Sequence, residues 1–263
     1  MSITLNSDIA RTYNKNIVHT THKLCETGVF NRQGLIQLID ETPDCDLYLH
    51  IGPAHGPNTD SLPPVNRSGR SGAEILDLLD THKVWLGITN VHKRSEAYSG
   101  LIHNLVVSLK KQTKLWINRP RAMLMISSPN TITPYHCDLQ EHSMWQIFGT
   151  QSTYIYPRGK QFLSHEDIDN HVLNKNVKYE NYSPHLDKTA AHTNLLSGYM
   201  LAWPFMSPHR LVTGKSMSVS LQLEYMTPKI WATYLGMTIT AFLRQNLRLK
   251  IITPWRPKDL HSS

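Results

Sequence analysis

The second half of the chain has the clearest regular pattern of hydrophobic and polar residues. Residues 121–127 form a strand-like run with five apolar residues at its centre, residues 144–156 contain another run that Gly149 interrupts, and residues 217–223 alternate between apolar and polar side chains. A period of two residues is typical of β-strands that bury one face. Pro, Gly and Asn residues separate the runs, as they do in turns. The pattern therefore predicts a core of short strands joined by turns.

Helical patterns surround these strands. Ser71 and Glu74 have the spacing of a capping box, and the isoleucine and leucines after them fall on one face. Ser95 precedes a segment with apolar residues every three or four positions. Thr227 followed by Pro228 is typical of a helix start. The sequence predicts helices that begin near residues 33, 71, 95 and 228, the last of which ends near residue 250.

Two further strands are expected at residues 45–51 and 84–89, on either side of a loop rich in Pro and Gly. This organisation predicts an N-terminal helical and loop region that packs on a β core, the core itself, and a C-terminal helix with a tail. The predicted bounds of these three parts are residues 1–83, 84–226 and 227–263.

The candidate chemistry lies among the predicted strands. His136 and Asp138 are two residues apart, so on a strand both side chains point to the same face. His209, in a later strand, could join them from a neighbouring position. Two histidines and one carboxylate form the facial triad of non-haem Fe(II) oxygenases, which leaves three metal positions open. The alternative is an ordinary polar pair, because the chain has 15 histidines.

The order of elements around this pair favours one fold. An apolar strand and a Ser-Pro-Asn turn precede the pair, and a strand, Gly149 and another strand follow it. A double-stranded β-helix requires this order of strand, turn, ligand strand, glycine turn and strand. The predicted fold class is therefore mainly β with flanking helices.

From about residue 84 to residue 225 the chain resembles the JmjC and cupin-like oxygenases, notably the asparaginyl hydroxylase that inhibits hypoxia-inducible factor and many bacterial cupin-like proteins. The segments that match are residues 133–138, 146–149, 156–157, 208–209 and 216–221. The resemblance implies a jelly roll in which His136, Asp138 and His209 hold Fe(II). It also implies that 2-oxoglutarate chelates the iron and is hydrogen-bonded by Thr133.

Two positions depart from the pattern of that family. Most of these hydroxylases have a lysine that pairs with the far carboxylate of 2-oxoglutarate, where this chain has Gln151, whose amide carries no charge. They often have an asparagine where this chain has His142. Either another cation holds the carboxylate, or the cosubstrate differs, or the cofactor is not used. The candidate cations are Arg121, Lys215 and Arg210, and Arg210 should point away from the metal.

The last predicted strand adds a polar face, because Ser218, Ser220 and Gln222 alternate with apolar residues. This face suits a barrel interior that holds a hydrophilic ligand, and a solvent-facing strand edge is the alternative. The candidates for binding the cofactor are thus Thr133, Gln151, His142, Ser218, Ser220, Gln222 and Arg121.

Composition and charge exclude several classes of protein. The 263 residues carry a formal charge of +7, but the basic residues are dispersed and form no recognisable nucleic-acid motif. No run approaches the roughly 18 apolar residues of a membrane helix, and the N-terminus lacks the pattern of a secretory signal. Three cysteines without paired spacing are typical of a reducing cytoplasm. One of them, Cys137, should face away from the proposed ligands on either side of it.

The function expected from the resemblance is an Fe(II)- and 2-oxoglutarate-dependent oxygenase that hydroxylates an unactivated C–H bond of a small molecule or a protein side chain. Residues 52–72 and a polar insert at residues 158–197 are candidates for substrate recognition. The C-terminal helix is a candidate for a homodimer contact. Two alternatives stay open: an iron enzyme that does not use 2-oxoglutarate, and a non-catalytic cupin-like binding module.

Overall fold

The computed structural model describes residues 5, 7–51, 67–247, 249 and 251, so most of the predicted loop at residues 52–72 lies outside the described residues. The strands are β1 (Val18–Thr21), β2 (Leu47–Ile51), β3 (Val84–Ile88), β4 (Asn118–Ser127), β5 (Ile132–His136), β6 (Glu141–Phe148), β7 (Thr150–Ile155), β8 (Ala191–Leu196), β9 (Tyr199–Ala202), β10 (His209–Thr213) and β11 (Ser218–Met226). The helices are α1 (Ser7–Thr12), α2 (Arg32–Glu41), α3 (Gly72–Thr81), α4 (Glu96–Thr113), α5 (His165–Val172) and α6 (Pro228–Leu247). Short 3-10 helices lie at Leu24–Thr27, Asp44–Asp46, Val91–Lys93 and Pro184–Thr189.

The strands form two antiparallel sheets. The large sheet has the order β1-β9-β6-β11-β4-β3-β2, and the small sheet has the order β5-β10-β7-β8. From β4 onwards the chain passes repeatedly from one sheet to the other, as in a jelly roll. The predicted double-stranded β-helix with flanking helices is therefore confirmed. The N-terminal region contributes β1 and β2 to the large sheet.

Alternation along the strands creates two layers of core. Leu221 and Leu223 of β11 pack with the apolar faces of α2, α3 and α4 on one side of the large sheet. Successive side chains point to opposite faces, so Ser220 and Gln222 face the small sheet instead. A second apolar cluster lies between the sheets. Its buried members are Met125, Met144, Ile155, Leu195, Leu201, Trp203 and Leu211.

The helix starts agree with the predicted caps. Ser71 and Glu74 form both hydrogen bonds of a capping box at α3, and the Ser95 side chain accepts a hydrogen bond from the Tyr98 N–H at α4. At α6, the Thr227 hydroxyl accepts from the Ile230 N–H at 3.4 Å. Each of these hydroxyls satisfies a backbone donor that has no partner within its helix.

Two predictions about strands need correction. Strand β2 begins later than predicted because Asp44–Asp46 form a 3-10 turn, in which the Asp46 N–H donates to the Pro43 carbonyl at 2.9 Å. The predicted insert at residues 158–197 contains α5 and a 3-10 helix, but its end is β8, which pairs with β7. In β8 only Leu195 is buried, so its sequence lacks the alternation that would have indicated a strand.

Helix α6 has apolar residues on two faces. Ile230, Met237 and Ala241 are buried in a cluster shared with α5. Four other apolar residues of α6 are exposed, and we call them the outward stripe: Trp231 (43% exposed), Leu235 (58%), Ile239 (51%) and Phe242 (53%). The guanidinium of Arg119, in β4, lies 5.5 Å from the centre of the Trp231 ring. None of the described helices is long and apolar enough to cross a membrane.

A homodimer through α6 stays a prediction, which one substitution tests. If two copies bury the exposed stripe against each other, Leu235→Lys should convert the dimer into monomers, because charged groups would enter an apolar contact. Light scattering at micromolar concentration measures the mass. Val107→Lys is the matched control, since Val107 is a similarly exposed apolar residue on α4, and it should leave the mass unchanged. A monomeric wild-type protein would contradict the prediction.

A buried carboxyl group lies where β6 begins. Glu141 is almost fully buried, and its Oε2 atom has no hydrogen-bond partner among the described residues. Burial raises the pKa of Glu141 from 4.5 to about 7, although Thr227, Lys229 and Asn14 act in the opposite direction. Below pH 4.5 the group is protonated in both the folded and the unfolded chain. Burial of the neutral carboxyl group therefore contributes its full stability there. This contribution is lost as the pH rises from 4.5 to about 7, because the unfolded chain releases its proton first.

Glu141→Gln should remove this pH dependence. We expect the variant to gain roughly 1–3 kcal/mol in free energy of unfolding relative to the wild type between pH 4.5 and pH 8, because the amide needs no proton. Denaturant unfolding of both proteins at each pH measures the difference. Glu180→Gln, at an exposed position, is the control and should show no such trend. A difference that stays constant with pH would refute the assignment to Glu141.

Candidate metal centre

The pairing of β5 with β10 brings the three predicted ligands together. His136 and His209 are directly opposite each other in the small sheet, and their ring centroids are 4.2 Å apart. Asp138 follows β5, with Oδ1 at 3.9 Å from His136 Nε2 and Oδ2 at 3.6 Å from His209 Nε2. One ligand atom from each of the three residues lies within 4.8 Å of the others.

The backbone sets the tautomer of both histidines. His136 Nδ1 lies 2.7 Å from the Pro134 carbonyl oxygen, and His209 Nδ1 lies 3.1 Å from the Ser207 carbonyl oxygen. A carbonyl can only accept, so each Nδ1 carries the proton and donates. Each Nε2 therefore keeps its lone pair and faces the carboxylate. Metal-binding histidines in proteins are held in this way.

An irregularity in β5 places Thr133 beside the ligands. Leu211 pairs with Thr133 and His209 pairs with His136, so β5 has one residue more than β10 between these levels. Such a bulge turns two residues three apart toward the same face. His209 and Leu211 are buried, and residues that pair across strands share a face. Thr133 therefore points to the same side as His136, although the alternation of a regular strand would separate them.

The electrostatics favour an ionised Asp138 carboxylate beside a neutral His209 imidazole. Burial alone would raise the pKa of Asp138, but the neighbouring His142, His209 and His136 outweigh it and lower the pKa to about 2. Burial, reinforced by His136, lowers the pKa of His209 well below its ordinary value. Both groups are thus in the protonation state that a metal requires. Two nitrogen donors and one carboxylate oxygen fit a divalent first-row metal such as Fe(II).

His142, which was predicted to bind the cosubstrate, lies beside the proposed metal ligand Asp138. It faces the space between the sheets from β6, where it pairs with Glu224 of β11. Its side chain is almost fully buried, and its Nδ1 is 3.4 Å from Asp138 Oδ2. The residue predicted to bind the cosubstrate therefore contacts a proposed metal ligand.

Gln151 lies at the other end of the space between the sheets. It is buried on β7, four residues before Ile155, the residue that pairs with His209. At the rise of an extended strand, this separation is about 13 Å. Gln151 thus lies well away from the metal ligands along the strand, and its amide carries no charge.

The strands around the interior also carry polar, uncharged side chains. Four buried side-chain oxygens on β6, β7 and β11 have no hydrogen-bond partner in the described part of the chain, and we call this group the neutral lining. Its members are Gln146 Oε1, Gln151 Oε1, Thr153 Oγ1 and Ser220 Oγ. Buried polar groups are normally paired, so a polar ligand or water is expected against this lining.

None of the predicted replacement cations enters this space. Arg210 points to the outside of the small sheet, where it pairs with Asp187 and lies 3.9 Å above the Tyr154 ring. Its predicted orientation away from the metal is confirmed. Lys215 and Arg121 are exposed. Among the described residues, no lysine or arginine is buried.

The polar face of β11 lines the interior. Ser218, Ser220 and Gln222 are all buried, which excludes a solvent-facing edge. Glu224 continues this face and accepts a 3.2 Å hydrogen bond from Gln222 Nε2. Burial, assisted by Asp138, raises the pKa of Glu224 to about 7. The predicted set lacks Glu224, although the same alternation reaches it.

The predicted insert is joined to the ligands through Cys137. The Cys137 N–H donates to the Tyr179 hydroxyl at 3.3 Å, and the thiol lies 3.7 Å from His171 Nδ1. Cys137 therefore points away from the ligands, as predicted, and burial raises the pKa of its thiol. His171 Nδ1 also lies 3.2 Å from the Tyr179 hydroxyl, so this histidine contacts both its own segment and the ligand loop.

The fold has known structural relatives. No family model matches this chain, and no curated protein matches it. Structures of YcfD, a ribosomal oxygenase from Escherichia coli, superpose with TM-scores of 0.55 for one structure and 0.53 for its complex with cobalt and 2-oxoglutarate. The identities are 15% and 14%, and the matches cover 98% of this chain but only 62% and 61% of YcfD. This similarity establishes a shared fold, and it does not point to the asparaginyl hydroxylase in particular.

Substitution of the three ligands should weaken metal binding. We expect His209→Ala and Asp138→Asn each to lower the affinity for Co(II), used as a stable substitute for Fe(II), by at least about tenfold. Anaerobic calorimetry measures the dissociation constant. His192→Ala is the matched control, because His192 stacks on Tyr154 on the exposed side of the same sheet. Equal affinity in all four proteins would exclude this metal centre.

Proposed function

We propose that the protein is a non-haem Fe(II) oxygenase that uses 2-oxoglutarate to hydroxylate an unactivated C–H bond of a small molecule or a protein side chain. The observation that carries the proposal is the group formed by His136, Asp138 and His209, with both Nε2 atoms free and directed at an ionised carboxylate. The fold shared with YcfD, which has been determined with cobalt and 2-oxoglutarate, supports it.

The residues of this chain would serve the reaction in three ways. His136, Asp138 and His209 would hold the iron, and the carbonyls of Pro134 and Ser207 would keep both imidazoles oriented. When bound with a 2-oxo acid and oxygen, Fe(II) supplies the oxidising power for C–H cleavage. The apolar cluster between the sheets would exclude water from that chemistry.

The fit to 2-oxoglutarate is good near the metal and weak at the far end. Thr133 faces the same side as His136 and can hydrogen-bond the cosubstrate, as the resemblance implies. The neutral lining offers hydroxyl and amide groups to a polar ligand. Charge-assisted hydrogen bonds are roughly twice as strong as neutral ones, so binding of the far carboxylate should be weaker than in a site with a lysine.

The same observation supports a second candidate, an iron enzyme that does not use 2-oxoglutarate. Gln151 replaces the lysine, no described lysine or arginine is fully buried, and none of the three predicted replacement cations faces the interior, so the far carboxylate lacks the countercharge that the resemblance implies. A neutral cosubstrate, or oxygen alone, would suit the neutral lining better. A binding module that turns nothing over is the third candidate.

Substrate recognition is proposed for the region of α5 and Tyr179. This segment contacts the ligand loop directly, because the Tyr179 hydroxyl binds the Cys137 N–H. A substrate that displaces the segment would therefore act on the two ligands next to Cys137. YcfD is a ribosomal oxygenase. A protein substrate for the present chain is likewise a proposal.

Introduction of the missing cation tests whether 2-oxoglutarate is used. We expect Gln151→Lys to tighten binding of 2-oxoglutarate to the Fe(II) protein about tenfold or more, because a hydrogen bond to a charged group contributes roughly 1.5–3 kcal/mol. Anaerobic titration monitors the visible charge-transfer band of the chelated iron. Gln151→Met, of similar length without charge, is the matched control and should not tighten binding.

The wild-type protein decides among the three candidates. A charge-transfer band together with succinate formation in air supports the proposed oxygenase. Metal binding without a band, in both the wild type and Gln151→Lys, favours an iron enzyme with another cosubstrate. Metal binding with a band but without succinate favours a binding module. Failure to bind any divalent metal would refute the first two candidates.

A further inference from the structure

We propose that Tyr179 is a positioning residue for the metal centre, because its hydroxyl fixes the backbone between the ligands His136 and Asp138. The segment around Tyr179 was proposed above to recognise the substrate, and this inference gives the residue a task when no substrate is bound. It rests on the metal site of the proposed function, and it is independent of which cosubstrate is used.

The ligand loop, residues 136–138, begins where the regular strand stops. Strand β5 ends at His136, so Cys137 and Asp138 lie beyond the part of β5 that the small sheet holds in register. The Cys137 N–H donates to a side chain, the Tyr179 hydroxyl, at 3.3 Å. Cys137 is almost fully buried, and a buried N–H needs a partner. Tyr179 therefore supplies the hydrogen bond that a neighbouring strand supplies elsewhere in the sheet.

The hydroxyl of Tyr179 is itself held from α5. A backbone N–H can only donate, so the Tyr179 oxygen accepts from Cys137 and its own proton is free to donate. His171 Nδ1, on α5, lies 3.2 Å from this oxygen, and the Cys137 sulfur lies 3.8 Å from it. The position of the hydroxyl is thus set by two elements, the ligand loop and α5.

The backbone of Tyr179 is strained. Its φ of 49° lies in the left-handed region, which is an outlier for a bulky residue. Glycine adopts this conformation without strain, so the presence of a tyrosine is explained by what its side chain does. Such strain persists only where the surrounding contacts hold the residue, and it clusters at functional sites. The neighbours Lys178 and Glu180 are exposed, so the side chain of Tyr179 attaches this stretch to the ligand loop.

The ring of Tyr179 packs on the strand that carries the ligands. It contacts the Tyr135 ring edge-on with centroids 5.9 Å apart, and Tyr135 immediately precedes His136. Tyr182 stacks on the same Tyr135 ring at 4.6 Å, but its hydroxyl donates to Asp187 at 3.2 Å. The two tyrosines share a packing partner and differ in what their hydroxyls bind. Tyr182 is therefore a matched control for Tyr179.

A purely structural role is the alternative for Tyr179. If the residue only fills space, loss of its hydroxyl lowers the stability of the fold and leaves the metal affinity of the folded protein unchanged. If it positions the ligand loop, the Cys137 N–H loses its partner, and His136 and Asp138 are held less firmly for the metal. The metal affinity, measured where the protein is fully folded, separates the two roles.

Substitution of Tyr179 by phenylalanine tests the proposal, because it keeps the ring and removes the hydroxyl. We expect Tyr179→Phe to bind Co(II) at least about tenfold more weakly than the wild type, and to change the visible d–d spectrum of the bound ion. Anaerobic calorimetry on the full-length protein measures the dissociation constant, and denaturant unfolding verifies that each protein is folded under those conditions. Tyr182→Phe should keep the wild-type affinity and spectrum.

Hydrogen exchange in the wild type supplies a second readout, which does not depend on the folding of a variant. Coupling between two sites is reciprocal, so a contact that tightens metal binding is itself stabilised by the metal. The Tyr182 N–H donates to the Tyr179 carbonyl at 3.0 Å, and it lies in the insert rather than in the ligand loop. Diamagnetic Zn(II) should therefore slow exchange of the Tyr182 amide, measured by nuclear magnetic resonance, in the wild type and not in Tyr179→Phe.

Three results would overturn the proposal and leave the three-residue centre intact. They are wild-type Co(II) affinity and spectrum in Tyr179→Phe, an equal loss of affinity in Tyr182→Phe, and no effect of Zn(II) on the Tyr182 amide of the wild type. Failure of the wild type to bind Co(II), or an affinity that does not depend on His209, would instead refute the metal site of the proposed function and this proposal with it.

Discussion

The proposed centre depends on the pairing of β5 with β10. The two strands are far apart in sequence, and their register sets His136 opposite His209. The extra residue of β5 turns Thr133 to the same side, and Pro134 is tolerated because β5 is an edge strand. The Pro134 carbonyl then fixes the tautomer of His136. A slip of one residue would point His136 out of the interior, so register and chemistry are linked.

A second constraint is the contrast between surface and interior. The chain carries a net charge of +7, but no described lysine or arginine is buried, and the interior holds the carboxyl groups of Asp138 and Glu224 beside the neutral lining. A divalent cation would balance this interior, whereas a dicarboxylate anion brings further negative charge. The metal part of the proposed function thus has stronger physical support than its cosubstrate.

Much of the fold follows from local signals. The cap residues Ser71 and Ser95 and the alternation of β11 identify elements that the structure confirms. Strand β8 escapes prediction because one face of an edge strand is exposed and its pattern is weak. The outward stripe of α6 was assigned no definite partner, because an amphipathic pattern does not say which apolar face is buried. For the candidate site, spacing suggested His136 and Asp138, but the approach of His142 to the carboxylate arises from tertiary packing that spacing does not encode.

The most direct test of the metal centre is a crystal structure of the protein loaded anaerobically with Fe(II), with anomalous scattering recorded at the iron edge. We expect one strong peak within bonding distance of His136 Nε2, His209 Nε2 and an oxygen of Asp138. A peak at another site, or no peak in crystals of iron-saturated protein, would contradict this metal centre.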